Sequence, residues 1–137
     1  MARERCREVV VASVRAVDEQ DYARLAMLFT VDGVLVRPGG QTLQGRDAIA
    51  QAYRQRDRDR LTRHLLSTHT LEWRADGAMH SLCDVLLWTG KHSDPVTNQG
   101  RPADALQQVG CLDDELVNTA EGWRIRRREA TFLLHRG

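Results

Sequence analysis

The second half of the chain constrains the fold most. From residue 61 onward, four long segments rich in leucine, β-branched and aromatic residues follow one another, at 61–73, 79–89, 106–117 and 123–134. Each is longer than an average strand. Two of the breaks between them, "ADG" at 75–77 and "AEG" at 120–122, are short and glycine-bearing, as tight hairpin turns are. The third break, "GKHSDPVTNQGRPAD", predicts a longer polar loop. The pattern is a meander of long antiparallel strands, and such a sheet needs cover on at least one face.

The preceding residues supply that cover as helices. Over residues 3–19, Val10, Val14 and Val17 recur at i, i+4 and i+7, with Cys6 one turn earlier. Asp21 is placed to cap a short second helix whose apolar face is Leu25, Leu28 and Phe29. Val34 to Val36 predicts a short strand, stopped by Pro38-Gly39-Gly40, and "QTLQG" a second extended piece. Residues 46–58 predict a third helix, with Ile49, Ala52 and Tyr53 on one face and Asp47 at its positive end. Helices followed by strands define an α+β domain, here one domain over 1–137. A curved sheet wrapped around helices leaves a pocket between the layers.

Composition excludes several classes. A net charge of +1 gives no field to gather nucleic acid or an anionic membrane. The three cysteines, Cys6, Cys83 and Cys111, are far apart and lack C-x-x-C spacing, which fits neither a disulfide framework nor a zinc site and suits a reducing cytoplasm. Cys83 and Cys111 read as small packed hydrophobes. The opening "MARERCREVV" puts charges where an export signal needs apolar residues, so a cytoplasmic location without membrane contact is expected. The five histidines form no H-x-H, H-E-x-x-H or Cys-His cluster, and no metal is expected. His64 and His69, five apart, fall on opposite faces of a regular strand, an alternation that a bulge would undo. "RPGGQTLQG" lacks the Lys-Ser/Thr of a phosphate loop and reads as a turn.

Two arginine-rich stretches carry alternatives. In "YRQRDRDRLTRH", Arg54, Arg56, Arg58, Arg60 and Arg63 are interleaved with Asp57 and Asp59, and Tyr53 is the one aromatic. That is a solvated helix end rather than a nucleic-acid footprint. In "GWRIRRRE", strict alternation puts Trp123, Ile125 and Arg127 on one face and Arg124, Arg126 and Arg128 on the other. Either these are surface arginines, or one of Arg127 and Arg128 enters the pocket to hold an anionic or carbonyl group.

The chemistry-bearing pair is Asp18 and His64. Asp18 follows Val14 by four residues, at the edge of the first helix's apolar face, and a carboxylate there needs a partner. His64, inside the strand "LTRHLLSTHTLEW", is the natural one. An aspartate that holds one imidazole nitrogen fixes the tautomer and leaves the other nitrogen free as a base. On these residues alone the other reading stays open: Asp18 as a helix-end cap and His64 as a satisfied core residue.

The stretches "DEQDYARLAMLFTVDGVL", "LQGRDAIAQAY", "TRHLL" and "GCLDDELVNTAEGWRIRRR" stand in an order that resembles the SnoaL-like branch of the nuclear-transport-factor-2-like (NTF2-like) superfamily. The resemblance spans nearly the whole chain. It implies a cone-shaped α+β fold, with N-terminal helices packed in a strongly curved, mixed but mostly antiparallel sheet. This superfamily includes scytalone dehydratase, a dehydrochlorinase, polyketide cyclases and the β subunits of ring-hydroxylating dioxygenases. In the dehydratase and the dehydrochlorinase a strand histidine in a Thr-x-His pattern pairs with an aspartate at the end of the first helix, and His64 and Asp18 fall at those positions. The sequence departs from the dehydratase elsewhere. The tyrosine before the aspartate is Val17, Cys83 and Asp84 stand in the region of a second pocket histidine with His80 out of place, and Leu112 stands where many relatives carry tyrosine.

These readings together predict a cofactor-independent small-molecule enzyme of lyase or isomerase type, acting on a hydrophobic cyclic compound. His64 and Asp18 are its catalytic candidates, and Tyr53, Cys83, Leu112 and Arg127 its candidate substrate contacts. The alternatives are a non-catalytic subunit resembling a dioxygenase β subunit and a ligand-binding module. A homodimer is expected, formed through the outer sheet face, with Trp88, Val109 and Leu133 as its apolar candidates.

Overall fold

The computed structural model describes all residues, Met1–Gly137. Three helices and six strands follow in the order α1 (Ala2–Asp18), α2 (Tyr22–Met27), β1 (Phe29–Val36), β2 (Thr42–Gln44), α3 (Arg46–Arg54), β3 (Arg60–Trp73), β4 (Met79–Lys91), β5 (Ala103–Thr119) and β6 (Gly122–Arg136). Asp21 caps α2 as expected, its Oδ1 accepting the Arg24 N–H at 3.2 Å.

Three boundaries differ from the sequence reading, each for a local reason. The third helix stops at Arg54, because the Arg60 N–H bonds the Asp57 carbonyl and the Asp57 carboxylate takes the Asp59 N–H, turning the chain into β3. The first strand starts at Phe29 instead of Val34, since Phe29 already pairs with Ile125 of β6. Leu28 therefore caps α2, and Phe29 enters the core from a strand. Register is broken between Phe29 and Val34, and there the backbone folds close on itself: a Cβ on Gly33 would lie 2.9 Å from Phe29 Cβ. The polar loop after β4 is shorter than expected, with Ala103 and Asp104 already in β5.

The strands form one sheet in the order β2-β1-β6-β5-β4-β3. β1 and β6 run parallel and every other neighbouring pair is antiparallel. Two bulges decide which side chains face the helices. In β3, Ser67 and Thr68 together stand opposite Asp84, between the pairs Leu66–Val85 and His69–Cys83. In β6, Arg126 is the extra residue between the pairs Ile125–Leu116 and Arg127–Glu115. Each extra residue reverses the inside–outside alternation beyond it and sharpens the local bend.

The helices lie in the concave face. At one end the space is filled by Met79, Leu116, Ile125 and Trp123, with Trp73 edge-on to Trp123 at 5.8 Å. Helix α1 contributes Cys6, Ala16 and Val17 to this core, and Tyr22, Leu25 and Ile49 continue it. Toward the other end the helices no longer fill the cone, and a cavity remains. No helix is long and apolar enough to cross a membrane.

Candidate active site

The site begins where α1 ends. Gln20 adopts a left-handed backbone (φ 57°), and its side-chain amide donates to the carbonyls of Arg58 and Arg60 at 3.0 and 3.2 Å. This clamp holds the end of α1 against the start of β3. Asp18, two residues earlier, then faces Thr62 and His64, which share one face of the strand.

Asp18 Oδ1 lies 2.5 Å from His64 Nδ1 and accepts the Thr62 hydroxyl at 2.9 Å, while Oδ2 accepts the His64 backbone N–H at 3.0 Å. Burial alone raises the Asp18 pKa, but the His64 ring, its backbone N–H and Thr62 outweigh burial and hold the group below its ordinary value. An ionised Asp18 accepts a proton from Nδ1, so the lone pair of His64 sits on Nε2. Nε2 has no protein partner, and His64 lines the cavity. Thr62 was not singled out from the sequence. Its place in the Thr-x-His pattern, two residues before the histidine, was the available signal.

The cavity measures about 710 Å³, within the range of small-molecule sites. Its walls are mainly apolar, with Val14 and Val17 from α1, Leu35 from β1, Val85 and Leu87 from β4, Leu106 and Leu112 from β5 and Phe132 from β6. Two expected contact residues, Tyr53 and Leu112, line it.

The other two do not. Cys83 is fully buried away from the cavity, and burial pushes its thiol up to about 11. Arg127 points outward, half exposed, with Glu129 at 3.8 Å. The β6 bulge explains the error: the residue inserted at Arg126 places Arg128, instead of Arg127, on the inner face opposite Asp114. Arg128 is buried at the cavity wall. Its Nε and Nη2 bond both oxygens of the fully buried Asp114 at 2.7 and 2.8 Å, and Nη2 also donates to Ser13 at 2.8 Å. Nη1 has no protein partner. Burial disfavours the guanidinium charge, but the Asp114 charge outweighs this and raises its pKa. Asp114 and Ser13 were missed by the sequence reading, although a serine within the apolar stripe of α1 was a signal.

The β3 bulge also brings His69 to the inner face, the side His64 occupies. His69 Nε2 lies 2.7 Å from Ser81 Oγ, and burial lowers its pKa. His80 is on the outer face, 2.7 Å from Asp113.

This architecture is the α+β fold of the NTF2-like superfamily, and the chain belongs to the SnoaL-like domain family, which it matches over residues 1–129. No curated protein matches the sequence. Among solved structures it is similar to ActVI-ORFA from Streptomyces coelicolor, with 20% identity, coverage of 94% of this chain and 95% of that one, and a TM-score of 0.77. It is similar to a protein from Novosphingobium aromaticivorans that carries the provisional name scytalone dehydratase, at 18% identity, 96% and 84% coverage, and a TM-score of 0.77. It is also similar to a hexachlorocyclohexane dehydrochlorinase, LinA type 2, at 15% identity, 97% and 86% coverage, and a TM-score of 0.79. At these identities the likeness establishes the fold.

Proposed function

We propose that the protein is a cofactor-independent small-molecule enzyme in which His64 Nε2 takes a proton from carbon or water and Asp18 orients and stabilises the resulting imidazolium. The observation that carries this reading is the 2.5 Å contact between Asp18 Oδ1 and His64 Nδ1 at the wall of an apolar cavity. A base held in one tautomer, with its other nitrogen free at the cavity wall, is organised for proton transfer. Arg128 Nη1 and the Tyr53 hydroxyl are the groups for an oxygen of the substrate, since neither has a protein partner. A proton taken from carbon returns from Nε2 either to a leaving group, which completes an elimination, or to another carbon, which completes an isomerisation. A proton taken from water returns to one carbon of a double bond as the hydroxide adds to the other, which completes a hydration. Relatives named for a dehydratase and a dehydrochlorinase support the elimination arm.

The test is proton exchange in D2O. A panel of cyclic ketones and hydroxyketones is incubated with the protein, and loss of α-proton signals is followed by NMR. Exchange should occur for at least one compound and fall by about 10²–10⁴-fold in His64→Ala. Asp18→Asn should retain a weakened base. Ligands that bind without exchanging protons would support a binding module instead, and an active His64→Ala variant would place the base elsewhere.

A further inference from the structure

The arginines near the end of α3 do not simply dissolve into solvent. Arg56 and Arg60 line the cavity, and Arg37, from the turn after β1, joins them there. Arg56 lies over the Tyr53 ring at 4.3 Å from its centroid and Arg37 over the same ring at 5.8 Å. Aromatic contact of this kind orients a guanidinium without neutralising it.

None of the three forms an ion pair. The carboxylates near them in the chain and along the cavity keep their charge but hydrogen-bond neutral groups instead of these guanidiniums. Asp57 takes the Asp59 N–H, Asp59 takes the Ser93 N–H and hydroxyl, and Asp104 takes the Thr89 hydroxyl at 2.6 Å. Arg37 donates to the neutral side chain of Gln41. Burial disfavours the charge on Arg56, with Tyr53 opposing and the charges of Arg60 and Arg37 adding to the burial effect. Three guanidiniums at the cavity edge with no carboxylate within ion-pair distance repel one another, and a ligand anion seated among them relieves that repulsion.

We infer that the rim formed by Arg37, Arg56 and Arg60 binds the anionic group of the cavity's ligand, so that the ligand class is an apolar ring bearing a carboxylate or phosphate. The ring fills the apolar cavity and the oxyanion meets the guanidiniums, whose forked donors match either group. This inference rests on the reading that the cavity takes a small ring compound, and its test measures binding, so it is independent of turnover.

The probes are 1-naphthaleneacetate, its neutral analogue 1-naphthaleneacetamide, and 1-naphthyl phosphate, titrated calorimetrically at low ionic strength. At least one of the two anions should bind about tenfold or more tighter than the amide, and the stronger anion identifies the headgroup. The preference should shrink as salt rises toward about 0.5 M, because rim charges are screened. In the triple variant Arg37→Gln, Arg56→Gln, Arg60→Gln, anion and amide should bind within about twofold of each other. His64→Gln should keep the preference, since the dyad plays no part in it. Equal binding of acid, phosphate and amide to the native protein overturns the inference, as does a preference that survives the triple variant. If no naphthyl probe binds, the ring-compound reading of the cavity fails and the rim assignment fails with it.

Discussion

Arg128 shows how much depends on single side chains in this cone. It is a buried cation fixed by two bonds to a buried carboxylate and one to Ser13. Such a pair adds little net stability over an apolar substitute, but breaking it strands a charge. Arg128→Met should therefore destabilise the domain by about 3–5 kcal/mol, because Asp114 is left buried and unpaired. The double variant Arg128→Met, Asp114→Leu should recover most of that loss. Urea unfolding of the two single variants and the double one measures the coupling directly, and simple additivity would contradict the pairing. Asp18 and His64 differ from this pair. Helix period and strand position make each a candidate, since Asp18 falls at the edge of a valine stripe and His64 inside an apolar run, and the resemblance of the Thr-x-His stretch is what points to their pairing. Arg128 was not so legible, because its inward turn depends on one inserted residue, Arg126, that no spacing rule announces.

The same lesson holds for whole elements. The order of helices and strands, both hairpin turns and the N-cap of α2 follow from local chemistry, and the sequence shows them. What it hides is parity. Strict alternation separates His64 from His69 and selects Arg127 over Arg128, and both assignments fail at bulges, where one extra residue reverses the alternation. Boundaries shifted where tertiary pairing extended a strand, as β6 does for β1 at Phe29. The β3 bulge has a measurable consequence. His69 is drawn inward, and burial lowers its pKa below the ordinary histidine value. Above the ordinary value the ring is neutral in both folded and unfolded chains, and the stabilisation is fully present. As pH falls, the unfolded chain binds the proton first, so stability is lost until the folded value is passed. Denaturant midpoints between about pH 7 and 5 should fall on acidification, and His69→Gln should flatten that slope. An unchanged slope in the variant would mean that His69 titrates alike in both states.

At the scale of the molecule, the concave face of the sheet is occupied by helices and the cavity, while the outer face carries an uncovered apolar row. Leu65 pairs with Leu86, Leu86 with Val109, and Val109 with Leu134, so one line of aliphatic side chains crosses β3, β4, β5 and β6. Leu65 is 50% exposed and Leu134 68%, and Trp88 stands beside the row. Leu133, expected in this row, is instead the residue inserted at a third bulge, between the pairs Gly110–Phe132 and Val109–Leu134. A contiguous apolar stripe on a sheet face marks an interaction surface. We propose a second copy as its occupant, because a stripe that crosses four strands can meet its own image about a two-fold axis without needing a complementary charge pattern. A stable interface of this kind buries roughly 1,200–2,000 Å², which calls for the neighbouring Trp88 and Leu133 to join the row. Light scattering at about 10 μM should give a dimer mass, a concentration suited to interfaces of this size. Leu86→Glu should give a folded monomer, since a charge at the centre of the row would be desolvated on pairing. A native protein that scatters as a monomer, or a Leu86→Glu variant that remains dimeric, would show that this face does not pair with itself.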